Sequence, residues 1–541
     1  MKEEMSEMID QPNRRLEVPA TEWDRRQFLK MSALGVTLAG AGGSLAACSS
    51  SSSGSQPSAS GPSGSPKYGG TLRLGSSGNG PSDTLDPQNW SNNTDQNRIQ
   101  QLFDPLVWVN NQGQAELVLA ESITANANGT EWTIKIHPGV ITHQGKPFTA
   151  DDVLFSLQRI VTNKFPESSI IGPIDFKNSK VVNSTTLLLR YSQPFGALVT
   201  MLSYPFFYMV PRGFNPKQPD GTGPFKYQSF TPGVQSTFVR NPHYWQHGLP
   251  YLNKIVTTDI TSETTQVNAL QSGQVDVINY LSAASVTPLK GAGYTVHTNK
   301  SGGWVPFTQN SAVKPFSDVR VRQAFRLIPD RSQMLEQVFG GYGIIGNDVF
   351  SPFDPLFPHD LPQRQQDIPQ AKALLKAAGY EGLTVTLYSC PADPGQVQMA
   401  EVFATQAKAA GVTVNITQQT VTTFYSNYYQ KVPFAQDYGP GSPFLANAGA
   451  LMIGNAALFN ACHFDNPQYN SLYNQAIATT VDATRADLVH EMAHIDYEQG
   501  AYIVPVFLPA IEAFTSKVGG IQPSVTGVMP GNADYKRFWI S

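Results

Sequence analysis

The stretch from Trp132 to Arg159, WTIKIHPGVITHQGKPFTADDVLFSLQR, constrains the fold of this chain more than any other. Residues 132–137 alternate apolar with polar side chains, the period of a half-buried β-strand. Pro138-Gly139 ends that strand, and Gly145-Lys146-Pro147 makes a second turn. Thr149 then reads as a helix N-cap, with Asp151 and Asp152 in the first turn, where carboxylates suit the helix dipole. Val153, Leu154 and Leu157 form the stripe that such a helix buries. A strand, two turns and a capped helix in so short a span predict a mixed α/β body.

This block resembles the signature of the bacterial extracellular solute-binding proteins of family 5, the peptide- and nickel-type receptors of ABC importers. Trp132, Gly139, Val140, His143, Gly145, Pro147, Thr149, Ala150, Asp152, Val153 and Ser156 stand in register with it. Gln144 replaces the usual Asp, and Thr142 the usual aromatic residue. Further similar segments follow along the chain: Leu119-Ala120-Glu121-Ser122, Gly221-Thr222-Gly223-Pro224-Phe225, the run from Arg240 to Trp245, and the run from Pro315 to Ala324. The signature block itself is expected to mark the fold and to take no part in binding.

The resemblance implies an α/β, two-lobed periplasmic-binding-protein-like fold of type II, with an extra inserted domain, closing on a hinge. Lobe I is expected from 67–107, 179–300 and 506–541, the inserted small domain from 108–178, and lobe II from 301–505. Pro329 is expected to end early the helix that follows the Pro315–Ala324 run.

Residues 1–47 read as a targeting segment. Asp24-Arg25-Arg26-Gln27-Phe28-Leu29-Lys30 resembles the twin-arginine export motif, with Asp24 in place of Ser or Thr. The weakly apolar run after it is short and glycine-rich for a membrane span, which needs about 20 apolar residues. Leu45-Ala46-Ala47-Cys48 matches a lipobox, so Cys48 is expected to carry lipid and to hold the protein on the outer face of the cell membrane. Residues 48–66, almost all Ser, Gly, Pro and Ala after the cysteine, cannot bury enough apolar surface to fold and read as a flexible tether.

Basic and acidic residues number 37 and 41, a net charge of −4, which argues against nucleic acid as partner. Beyond Cys48, Cys390 and Cys462 have no zinc or iron–sulfur spacing, and both a disulfide and two free thiols stay open. One catalytic pattern competes: His490-Glu491-Met492-Ala493-His494 is a literal H-E-x-x-H. Its third ligand is missing where the extended motif would place it, since Tyr497 and Gly500 occupy those positions. An exported zinc-dependent hydrolase is therefore the alternative to a binding protein, and a sensor without transport is a third reading.

No catalytic residue, metal or cofactor is expected. The partners implied are a small solute, ABC permease subunits and the membrane, with the body a monomer. Ser76, Gly78 and Asn79 follow the first strand, where the family's first-lobe cleft residues lie. Trp304 lies where the chain should cross between lobes. Asp437, Tyr438, Gly441 and Ser442 align with the segment that holds the α-amino group in peptide-binding members. Ser442 stands where that segment carries its second Asp, which points to a neutral or N-blocked polar solute beside the family's peptides.

Overall fold

The strand Thr71–Ser76 lies inside the largest sheet of the computed structural model, which describes residues 65–541 apart from Asn79, Ser91, Val528 and Met529. Arg25, Arg26, Cys48 and nearly all of the expected tether lie outside the described residues. Leu72 and Leu74, alternate residues of that first strand, are buried. It runs parallel to Lys254–Asp259 on one side and to Val277–Ile278 on the other. Antiparallel neighbours complete this eight-stranded sheet, with Gln235–Arg240 and Phe225–Thr231 beyond one side, Val506–Phe514 and Thr295–Trp304 beyond the other, and the short strand Ile344–Ile345 paired to the start of Val506–Phe514.

Among the described residues a second, five-stranded sheet is built from Thr413–Gln418, Thr384–Ser389, Phe434–Gln436, Phe307–Gln309 and Tyr502–Ile503, in that spatial order. Two connectors join it to the large sheet. One is Val305-Pro306, between Trp304 and Phe307; the other is Val504-Pro505, between Ile503 and Val506. They run side by side, because Trp304 pairs with Phe507 and Phe307 with Ile503. Proline cannot donate to a ladder, so each connector leaves its sheet at a fixed point. This is an α/β, two-lobed, periplasmic-binding-protein-like architecture.

The signature block folds as its sequence predicts. Glu131–Ile136 is a strand of an antiparallel four-stranded sheet, and Gly139 and Gly145 turn with φ of +76° and +80°. Thr149 caps the helix Ala150–Asn163, its backbone N–H donating to Asp152 Oδ2 at 2.7 Å. His143 is enclosed, accepting from Gly221 N–H at 3.3 Å on Nδ1 and donating to the Gly223 carbonyl at 3.1 Å from Nε2. Burial pushes this imidazole down to about 4, so it stays neutral and acts as a clasp.

The glycines it clasps are required by close approach and not by backbone angle. A Cβ on Gly221 would lie 2.1 Å from the Leu102 carbonyl oxygen, and one on Gly223 2.5 Å from that of Gln101. The Pro315–Ala324 run is likewise structural. Arg322 donates to the Phe316 carbonyl, and Arg326 to the carbonyls of Asp496, Tyr497 and Tyr502. The helix Val319–Leu327 stops before Pro329, and Asp330 caps the next, Arg331–Phe339. Cys390 and Cys462 are both free and buried. Among the described residues no helix is long and apolar enough to cross a membrane.

Candidate functional site

Two expected segments meet beside the first connector. Trp304 N–H donates to the Gly439 carbonyl at 3.0 Å, and Gly439 N–H returns a bond to Trp304 at 2.8 Å. Gly439 must be glycine, since a Cβ there would lie 2.0 Å from the indole. A Cβ on Gly302 would stand 3.1 Å from the Gly441 Cα, and one on Gly303 3.7 Å from the Tyr438 hydroxyl. The chain from Ser301 to Trp304 therefore lies against Tyr438–Gly441, as two backbones with almost nothing between them.

A recess partly open to solvent, with about 40 Å³ of room for water-sized molecules, lies along this junction. Asn279, Tyr280, Ser301, Gly303, Asp393 and Glu512 line it. Asn279 and Tyr280 follow directly on the strand Val277–Ile278, and both are unusual. The Asn279 side-chain amide and the Tyr280 hydroxyl are buried without a hydrogen-bond partner, and Tyr280 holds a φ of +60°. A positive-φ tyrosine and unpartnered polar groups thus meet at one recess, which makes it the candidate site.

Asp393 enters from the turn between the strand Thr384–Ser389 and the helix Gln396–Ala409. Burial pushes its carboxyl up to about 7. Asp437, 5% exposed, follows the strand Phe434–Gln436, and its backbone N–H bonds to the Pro306 carbonyl at 3.3 Å. Burial raises it also to about 7; the Asp393 charge adds to the rise, while the Tyr438 N–H and Tyr429 hydroxyl oppose it. No cation contributes to either shift. Tyr429 and Tyr438 lie within reach of these charges, and burial, with the charges adding to it, holds each as the neutral phenol. Glu512, the other carboxylate that lines the recess, differs: His297 Nδ1 lies 3.0 Å from it.

Other expected positions are placed elsewhere. Ser76 bonds through its hydroxyl to Thr94 at 2.8 Å, and a Cβ on Gly78 would meet Asp83 and Asp259, both ion-paired to the buried Arg98. Arg98 also pairs with Asp95, so one guanidinium faces three buried carboxylates, and burial pushes Asp95 up to about 7 and Asp259 up to about 6. Asn79 lies outside the described residues. Trp304 is 1% exposed, stacked on Phe350 and edge-on to Tyr502, so it packs the junction and is no cleft wall. Ser442 is held by its carbonyl, which accepts from the Ser351 hydroxyl at 2.7 Å and from Asn447 at 3.2 Å. The His490–His494 segment faces Asp360, and Met492 and Ala493 behind it are core.

The sequence reading missed Asn279, Tyr280 and Asp393. Asn279-Tyr280, a polar pair directly after the apolar Val277-Ile278, carried a weak signal; Asp393, in a Pro-Ala-Asp-Pro-Gly turn, looked like an ordinary loop acid.

Known proteins agree with this geometry. The chain is 25% identical over 487 residues to heme-binding protein A of Haemophilus influenzae, spanning 81% of this chain and 86% of that one. It is 25% identical over 492 residues to the glutathione-binding protein GsiB of Salmonella typhimurium, spanning 84% and 92%. The fold matches the periplasmic binding protein DppA of Helicobacter pylori, solved with the peptide STSA, at a TM-score of 0.77 and 18% identity, covering 88% of this chain and 98% of that one. The family model for the middle region of bacterial extracellular solute-binding proteins, family 5, matches residues 114–446, more than half of the sequence. With that match, and with two lobes joined by paired connectors around a polar recess, the chain belongs to the bacterial extracellular solute-binding proteins of family 5.

Proposed function

We propose that this protein is the solute-capturing subunit of an ABC importer, exported through Arg25-Arg26, tethered by lipid on Cys48, and handing its cargo to a membrane permease. Lobe I (67–107, 179–300, 506–541) with its inserted domain (108–178) and lobe II (301–505) close over the solute by bending at Val305-Pro306 and Val504-Pro505. Closure follows binding because only the closed form lets both lobes touch the ligand.

One observation carries the substrate class. Asp393 lines the recess and Asp437 lies near enough for their charges to interact; both are raised to about 7, and no cation is among the causes of either shift. A buried carboxylate without a counter-charge costs several kcal/mol, so the site is completed by a positive group on the solute. We assign to it a peptide-like solute whose ammonium meets Asp437, with Asp393, Asn279 and Tyr280 contacting the remainder. Tyr438 and Gly441 shape the wall beside it. A peptide seated in DppA and glutathione named for GsiB are consistent with that class. The neutral or N-blocked solute suggested by the Ser442 hydroxyl is the competing reading; it would leave the raised carboxyls of Asp393 and Asp437 without a counter-charge.

Calorimetry with a peptide pool and its N-acetylated counterpart tests this. Free peptides should bind, and acetylation should weaken them by about two decades or more. Equal binding of both pools would replace the ammonium with a neutral solute.

A further inference from the structure

We propose that Asp360, His490 and His494 form a surface site for a divalent transition-metal ion of the zinc type, separate from the solute recess and clipping a loop to a helix. His490 and His494 stand one turn apart on the helix Asp482–Gln499, with ring centroids 4.6 Å apart. Asp360 comes from a loop well over a hundred residues earlier and lies across both rings. Its Oδ1 is 2.7 Å from His490 Nε2, and its Oδ2 is 3.7 Å from His494 Nε2. Ligand atoms of the three residues all fall within 4.8 Å of one another.

Tetrahedral zinc with bonds of about 2.0–2.1 Å places its ligand atoms roughly 3.3–3.4 Å apart. The distances here straddle that value, so seating an ion asks the 2.7 Å pair to open slightly and the wider ones to close. The side chains have room to do so, being 43%, 45% and 59% exposed for His490, His494 and Asp360. Imidazole nitrogens with one carboxylate suit zinc and its neighbours, and three protein ligands leave a fourth position for water.

The simpler reading is a surface ion pair between Asp360 and His490. Two features favour a metal over it. First, one carboxylate faces two imidazoles, and an ion pair needs only one. Second, the third ligand is held in place by contacts that need no metal. Leu361, next to Asp360, is buried in the core. The Tyr497 hydroxyl donates to the Pro362 carbonyl at 3.0 Å. Arg364 pairs with Asp348 at 2.8 Å, donates to the Tyr497 carbonyl and stacks on that ring at 4.0 Å. Both sides of the site are thus anchored to the same helix, so binding orders little new chain. The three side chains are exposed and none of them lines the solute recess, so we assign the ion a clipping role and no hydrolytic step.

The test uses the full chain purified without a histidine tag, titrated with Zn²⁺ by calorimetry and by thermal shift. One ion should bind per chain and raise the melting temperature by a few degrees at saturation, since an ion that binds only the folded form stabilises it. Cobalt(II) substitution should give the visible absorption of a four-coordinate nitrogen–oxygen site. H490A/H494A should abolish saturable binding, and D360N should weaken it by about tenfold or more. H494A alone, which removes the longer contact, should also lose most of the affinity and guards against misfolding of the double variant. Absence of one-to-one binding, retention of it in H490A/H494A, or full affinity in D360N would each overturn the site.

Discussion

Asp348 and Asp437 are both buried, and each is tied to one of the two connectors between the sheets, yet their charges are treated in opposite ways. Asp348 Oδ1 accepts from Val504 N–H at 2.9 Å, while Asp437 donates its own backbone N–H to Pro306. Burial pushes the Asp348 carboxyl up, but the Arg331, Arg326 and Arg364 guanidiniums outweigh it and hold the group below its usual value. Around Asp437 there are tyrosines and a second acid, and the group rises to about 7. A buried charge that the chain balances internally belongs to the scaffold. One that it leaves unbalanced is where the proposed solute would bring the counter-charge.

The harshest way to break this comparison is Asp348→Asn. It leaves Arg331 and Arg364 facing an uncharged amide, so unfolding in urea should show a loss of about 3–5 kcal/mol. The corresponding change at the other connector, Asp437→Asn, should leave the unliganded protein folded and at least as stable at neutral pH. Its cost should appear in calorimetry as a loss of about 2–5 kcal/mol in the binding of a free-amine peptide. If both variants lost stability alike, the two carboxylates would be doing the same structural job.

Acidity sharpens the contrast, because the two shifts have opposite signs. The Asp437 carboxyl, raised from 3.8 to about 7, contributes stability that is complete below its unfolded value and is lost as pH rises through about 7. Asp348, lowered from 3.8, contributes stability that is present above that value and is lost as pH falls below it. Between about pH 5 and about pH 8, Asp437→Asn should therefore gain on the wild type by on the order of 2 kcal/mol, read from urea midpoints. Binding of a cationic peptide should weaken as pH falls below about 7, since the ionised carboxylate must then be regenerated.

The smallest expected effect is Tyr429→Phe. Losing the hydroxyl that opposes the rise of Asp437 should cost about 1 kcal/mol of peptide affinity near neutral pH, and more at lower pH. An unchanged pH profile in that variant would show that the hydroxyl does not act on the carboxylate.

What the sequence determined by itself is the local grammar and the kinship. The alternation of residues 132–137, the cap at Thr149 and the stop before Pro329 all depend on neighbours within a few residues, and each appears where the pattern placed it. The Gly221-Thr222-Gly223 run was legible as a mark of the family, but only the structure shows why glycine stands there, with His143 and the Leu102 carbonyl against it. Serine and glycine after the first strand read as cleft residues, and the structure sets Ser76 and Gly78 beside the buried Arg98 and its three carboxylates. Tertiary structure alone decided which carboxylates are answered by arginines and which are not, and it alone brought Asp360 to His490 and His494. The physical reason is range. Hydrophobic period and capping are written in adjacent residues, whereas burial and counter-charge are set by whatever the folded chain brings alongside from far away in sequence.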